Sequence, residues 1–244
     1  MTRFLINFSY DGSNYNGFQK QKGLNTIQGK LEEAAKYINN GNSAKIVSSG
    51  RTDALVHAIS QCAHVDIDVN ITEYKLKRAL NSLIPEDIHV NYTKKVDDDF
   101  HCRFNVKTKE YIYKINMGEY NPIERNYVYQ LCKELNINKI IEATKYLEGE
   151  HDFQRLSSNE HKEKNTIRNI YSIKIEKKNN ILTLSFKGDG FLKYMVRIMV
   201  GILVQIGLEK YEPIYIKDIL DGNIKSNYKK IAPAQGLYLF KVEY

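Results

Sequence analysis

Tryptophan is absent from the 244 residues, proline occurs only four times and cysteine three times. The cysteines, Cys62, Cys102 and Cys132, are too few for a disulfide scaffold and too widely spaced for a CxxC zinc site. Their odd, sparse count predicts a reducing, cytoplasmic setting. With so few prolines and no low-complexity stretch, no segment reads as a flexible linker. Apolar runs are short as well. The longest, Phe191 to Ile206, carries Lys193 and Arg197 and falls short of a bilayer span. The run in Met1–Asn7 is too short for a signal peptide, so neither a leader nor a membrane partner is expected.

What is present is ordinary globular composition with a basic excess. Hydrophobic residues make up 42% and charged ones 27%, which excludes a disordered or collagenous chain. The length allows one large domain or two modest ones. Lysine plus arginine (36) over aspartate plus glutamate (29) leaves +7, which points to an anionic partner, nucleic acid first. The 18 tyrosines outnumber the 9 phenylalanines two to one. A tyrosine ring offers a stacking face with a polar tip, suited to bases, although codon drift in an AT-rich genome gives the same excess.

Periodicity predicts an α+β fold. Phe4, Ile6, Phe8 and Tyr10 alternate as a strand, followed by a turn at Asp11-Gly12-Ser13-Asn14. Thr26 caps a helix with Ile27, Leu31 and Ile38 on one face, and Thr72 caps a second through Leu76, Leu80 and Leu83. Between them Ala63, Val65, Ile67 and Val69 form the apolar side of a strand, with Cys62, His64, Asp66 and Asp68 on a solvated side. Further strands are expected at 87–97, 106–116, 167–177, 181–187 and 237–243, and helices at 137–148, 191–208 and just after Pro213. The expected organisation is two domains, 1–104 and 105–244, each a mostly antiparallel sheet with helices on one face.

Three stretches stand out chemically. Gly50-Arg51-Thr52-Asp53-Ala54-Leu55-Val56-His57-Ala58 follows the apolar pair Ile46-Val47 and two serines, which places Asp53 just past a strand end. Arg51 can pair with Asp53 or with a phosphate, and an ionised, positioned carboxylate serves as a nucleophile or a base. A turn aspartate bonding its own backbone is the plainer alternative. Lys107, Lys109, Tyr111 and Tyr113 alternate along one strand face, either to grip RNA backbone and base together or as a solvated face. In the apolar helix 191–208 the row Lys193, Arg197, Gly201, Gln205 is the polar exception: either an ordinary exposed stripe, or a buried Arg197 that needs an anionic partner, Asp53 or a substrate phosphate.

Other groupings read as structural. Asp97-Asp98-Asp99 reads as a turn, and His64, Asp66 and Asp68 read as a strand face rather than a metal site. His151-Asp152 are adjacent and so poorly placed for a dyad. Lys187–Tyr194 matches an RNA-recognition signature incompletely, with Asp189 where a stacking aromatic belongs.

Together these segments resemble the TruA family of bacterial tRNA pseudouridine synthases over essentially the whole chain. The resemblance rests on Tyr10-Asp11-Gly12 with Gly17-Phe18-Gln19, Thr26–Glu32, Gly50–Ala54 with Val56-His57-Ala58, and Ala79-Leu80-Asn81 with Pro85–Ile88. It continues through Phe100–Phe104, Lys109–Tyr113, Gly149–Phe153, Phe191-Leu192 with Met195-Val196-Arg197, and Pro233-Ala234 with Gly236-Leu237. The resemblance implies isomerisation of uridine to pseudouridine in the anticodon stem-loop of tRNA by a homodimer with an active-site cleft between its two domains. It implies no nucleotide cofactor and no metal. Carried over by position, Asp53 is the catalytic aspartate and Arg51 its neighbouring arginine. Tyr111 is the tyrosine that packs on the target base, and Arg197 is the arginine near the aspartate. Two departures stand out: Leu55 occupies a glycine position of the family loop, at a cost of roughly 1–2 kcal/mol if the backbone there is left-handed, and Gln154-Arg155-Leu156 lacks the usual aromatic.

The chemistry needs little. The N1–C1′ bond breaks, the base turns, and C5 joins C1′, with nothing oxidised and nothing released. One carboxylate suffices, acting covalently or as a base. Two other readings compete: a non-catalytic RNA-binding module on the same fold, and a glycosidase or nucleosidase, which needs a second positioned acid.

Overall fold

The alternation at the start of the chain does form a strand. In the computed structural model, which describes residues 1–158, 165–224 and 231–244, β1 spans Thr2–Tyr10 with Phe4, Ile6 and Phe8 fully buried. The chain divides into two compact units, Met1–Lys107 with Tyr238–Tyr244, and Thr108–Leu237.

In the first unit, α1 (Ile27–Ile38) starts where Thr26 Oγ1 accepts the Gly29 amide, and α2 (Glu73–Leu83) where Thr72 Oγ1 accepts that of Lys75. Both are the capping arrangement that the sequence implies. α1 buries Ile27, Leu31, Ala34 and Ala35, and α2 buries Leu76 and Leu80. The sheet runs β4 (Ile88–Lys95), β1, β3 (His57–Ile67), β10 (Leu237–Glu243), with the short β2 (Val47–Ser48) also on β3. The β1–β3 and β1–β4 pairs are antiparallel, whereas β10 runs parallel to β3. The closing strand, placed by sequence position with residues 105–244, thus completes the first unit's sheet.

β3 corrects one expectation. Its second face is not solvated, since Cys62 and His64 are buried. His64 Nδ1 accepts the Cys102 amide at 3.1 Å, and the ring lies edge-on to Phe100 and His101. Cys102 Sγ meets Tyr244 Oη at 2.7 Å. Asp66 pairs with Arg3 at 2.7 Å, which holds its carboxyl below the usual range. Along β3 only Ile59 is exposed, with Ser60 and Asp66 half-buried.

In the second unit the sheet runs β5 (Thr108–Asn116), β9 (Ile181–Gly188), β8 (Ile167–Lys178), β7 (Gly149–Asp152), all antiparallel, with the short β6 (Tyr129–Gln130) parallel to β5. Leu182, Leu184 and Phe186 alternate inward from β9. α4 (Met195–Gly207) buries every residue except Arg197 and Gln205. It packs against α3 (Ile137–Thr144), so closely that a Cβ on Gly207 would meet Ile140 at 2.8 Å. α5 (Tyr215–Leu220) follows Pro213. The architecture is mixed α and β with mostly antiparallel strands.

One predicted boundary moves. The helix expected from 191 begins at Met195, because Tyr194 adopts the left-handed conformation (φ 62°, ψ −1°) and breaks the helical path. Lys193 therefore precedes the helix and is not part of its polar row. On β5, Tyr111 and Tyr113 are buried rather than solvated. The extended Gly149–Asp152 was not anticipated.

Candidate active site

The Asp53 loop, residues 49–56, connects β2 to β3 in the first unit. At its start Ser49 Oγ donates to Gln61 Oε1 at 2.6 Å, and Gln61 Nε2 donates to the Gly50 carbonyl at 3.1 Å. Next, Thr52 is locked from two sides: its carbonyl accepts the Phe18 amide at 3.0 Å, and its hydroxyl meets Tyr10 Oη at 2.7 Å. Burial pushes the Tyr10 phenol well above its ordinary value, so it remains a hydroxyl. A turn closes behind the carboxylate, with the Val56 amide donating to the Asp53 carbonyl at 3.2 Å. Asp53 is half-buried, and Arg51 is exposed and directs Nη1 to Gln19 Oε1 at 2.9 Å.

Leu55 stands in this turn at φ 67° and is 44% exposed. The backbone is therefore left-handed, and leucine occupies it under strain.

Glycines form the seat of the loop. A Cβ on Gly12 would fall 2.1 Å from the Val56 carbonyl oxygen and 2.7 Å from its carbon. One on Gly17, at φ 90°, would meet Thr52 O at 3.0 Å and Ala54 N at 3.2 Å. Only hydrogen lets the 10–18 segment approach the loop this closely. The exit is fixed by His57, whose buried Nδ1 lies 3.1 Å from both the Gly12 amide and Asp11 Oδ1. Its ring stacks on Tyr238 of β10, with centroids 4.7 Å apart.

The other two expected site residues belong to the second unit. Tyr111 on β5 presents its ring edge-on to Phe191 at 5.2 Å. Arg197, two residues into α4 and half-buried, donates from Nε to the Ala232 carbonyl at 2.8 Å, while the Ala232 amide returns a bond to its carbonyl at 3.0 Å. The Arg197 guanidinium carbon lies 5.1 Å from the Tyr194 ring centre. Next to Ala232, the Pro233 carbonyl accepts from Tyr113 Oη at 2.7 Å, and burial raises that phenol well above its ordinary value against the nearby Arg197 charge. The 232–233 segment therefore ties β5 to α4 within this unit.

Asp53 and Arg51 share one loop, and Tyr111 and Arg197 share the surroundings of β5 and α4. Reasoning from sequence missed the Gly12 and Gly17 seat, the His57 clasp, and the Ala232 and Tyr194 supports of Arg197. Gly12, Gly17 and Pro233-Ala234 were visible as motif pieces, but only coordinates show what touches them. His151 and Asp152 face different partners, the Glu148 carbonyl and Thr166 Oγ1. Among the described residues no group of three or more histidines, cysteines or carboxylates is placed to hold a metal ion. No described helix is long and apolar enough to cross a membrane.

With this geometry in view, comparison with known proteins is specific. The family profile described as tRNA pseudouridine synthase matches residues 6–105 and 143–244. A tRNA pseudouridine synthase A of Oceanobacillus iheyensis is 39% identical over 100% of this chain and 97% of its own. One from Anoxybacillus flavithermus is 38% identical over 100% and 99%, and tRNA pseudouridine synthase A 2 of Clostridium tetani is 41% identical over 98% and 97%. The matches span both units, the Asp53 loop and the Arg197 helix, and the chain belongs to the tRNA pseudouridine synthase A family.

Proposed function

We propose that this enzyme isomerises uridine to pseudouridine in the anticodon stem-loop of tRNA, with Asp53 as its catalytic residue. The observation that carries the reading is the construction of the Asp53 loop. Two glycines, a buried threonine and a buried histidine hold a half-buried carboxylate on a strained turn, which is more than an ordinary surface aspartate requires.

The target base leaves its stack at a cost of a few kcal/mol, and we assign Tyr111, whose ring is largely buried beside Phe191, as the aromatic that replaces the lost stacking. Asp53 then acts either as a nucleophile or as the base that takes up a proton while the N1–C1′ bond is cleaved. When C5 has joined C1′, the C5 proton leaves and N1 gains one, so the reaction balances without a cofactor. Arg51 and Arg197 are the cations of the substrate site, and Arg suits phosphate and carboxylate because its fork bonds them bidentately.

A surface hollow of about 630 Å³ in the first unit adds support, since Lys20, Lys22, Lys30 and Lys36 outnumber Glu32 and Glu33 in its lining. We place the enzyme in the cytoplasm as a homodimer, because one protomer offers limited surface to an L-shaped tRNA.

The test is tritium release from tRNA carrying C5-labelled uridine. Wild type should release label and Asp53→Asn should not, while Asp53→Asn keeps its fold and its tRNA affinity within a few-fold. A protein that shifts tRNA mobility without any release would be a binding module instead. Activity of Asp53→Asn within tenfold of wild type would remove Asp53 from the catalytic role.

A further inference from the structure

Six non-glycine residues among those described have positive φ. Asn40 and Asn179 are of a type that tolerates it, and Glu209 follows the end of α4, where a left-handed residue commonly closes a helix. Tyr194 fits neither case. It stands at the start of α4, where the backbone is normally extended, and its side chain makes no capping bond.

The local backbone bonds give no reason for a tyrosine. The Ile198 amide donates to the Tyr194 carbonyl at 2.9 Å, and the Ser158 amide to that of Lys193 at 2.9 Å. Any residue provides these groups, and glycine or asparagine would do so without the strain. The ring is what distinguishes Tyr194. Lys193 Nζ lies 4.9 Å from its centre and the Arg197 guanidinium carbon 5.1 Å. With Nε fixed on the Ala232 carbonyl, the arginine is restrained by both a hydrogen bond and an aromatic face.

We propose that Tyr194 is a positioning residue for Arg197, its left-handed backbone turning the ring so that it holds the guanidinium plane in its working orientation. A flexible arginine that is ordered beforehand surrenders less freedom when it meets its anionic partner, and because that contact strengthens in the transition state the gain is realised in kcat. Strain retained at a bulky residue is intelligible on this account, because relieving it with asparagine would remove the ring. The proposal rests on the substrate role assigned above to Arg197.

The experiment compares wild type, Tyr194→Phe, Tyr194→Asn, Arg197→Met and the double variant Tyr194→Asn/Arg197→Met. Each is measured for kcat and KM on a tRNA transcript and for thermal unfolding. Tyr194→Phe should stay within about twofold of wild type, since it keeps the ring. Tyr194→Asn should lower kcat about tenfold with KM nearly unchanged, and its unfolding midpoint should lie within about 3 °C of wild type or above it. The double variant should be no slower than Arg197→Met alone.

Wild-type kcat in Tyr194→Asn, or a double variant slower by the product of the single effects, overturns the positioning role and leaves the Arg197 reading intact. A wild-type rate in Arg197→Met removes the substrate role of Arg197 and this proposal with it. If Tyr194→Asn does not fold, Tyr194→Gly, unstrained in this backbone, replaces it with the same expected values.

Discussion

Gly12→Ala is the sharpest probe of how the Asp53 loop is held. The added methyl would start 2.1 Å from the Val56 oxygen and 2.7 Å from the Val56 carbon, against an ordinary contact of about 3.5 Å. Both are backbone atoms, so no side chain can swing aside, and the 53–56 turn must retreat by roughly 1 Å. Overpacking of this kind costs about 1–3 kcal/mol of stability. The larger consequence is catalytic, because a misplacement of about 1 Å at a reacting group costs roughly 100-fold in rate. The assay is single-turnover pseudouridine formation in a tRNA transcript, with filter binding of the same tRNA and urea unfolding alongside. The expected result is a rate down about 100-fold, affinity within a few-fold, and a modest loss of stability. Gly41→Ala is the control: φ is 87° with no atom within 4 Å of the new methyl, so stability alone should fall. A Gly12→Ala rate within threefold of wild type would refute the view that close backbone packing positions Asp53.

Two further outcomes follow from the first unit. Leu55→Gly should be more stable than Leu55→Ala by about 1 kcal/mol, because both lose the leucine contacts and only alanine keeps the strain of φ 67°; chemical denaturation giving equal or reversed stabilities would show that the turn is not left-handed. His64 is pushed down to about 4 from 6.5, first by burial and then by the Arg3 and His101 charges, while its neutral Nδ1 accepts the Cys102 amide. The unfolded chain therefore takes up a proton that the folded one refuses, so stability is full above about pH 6.5 and declines as the pH falls toward 4. His64→Asn, which retains an acceptor, should flatten that decline in urea midpoints measured at intervals from pH 7 to 4.5, and a slope unchanged from wild type would clear His64 of it.

Local signals were legible in the sequence where one residue decides the outcome. Thr26 and Thr72 set helix starts through single hydrogen bonds, and alternation through Phe8 set β1. The reading also held that Leu55 would meet a left-handed backbone if the family's glycine had a conformational purpose, and the turn is left-handed. What sequence hid was long-range. The polar-looking face of β3 is covered by residues 100–104 and Tyr244, which no periodicity in β3 announces. Helix propensity in Phe191–Tyr194 yields to tertiary packing around Arg197, so α4 starts late. Gly12 is not needed for its φ, and only the Val56 carbonyl beneath it explains why a methyl has no room.

The parallel placement of β10 beside β3 carries a consequence for synthesis. The entire second unit, Thr108–Leu237, is strung between the two parts of the first. At ribosomal rates that insertion takes on the order of ten seconds to emerge. Throughout this interval the start of β3, His57-Ala58, lacks its parallel partner, and His57 has no Tyr238 ring to stack upon. The nascent first unit is thus an open sheet with an unfinished floor beneath the Asp53 loop, vulnerable to edge-to-edge association. The Asp53 loop is made early in translation, but its exit at His57 gains the Tyr238 ring only when residues 238–244 arrive.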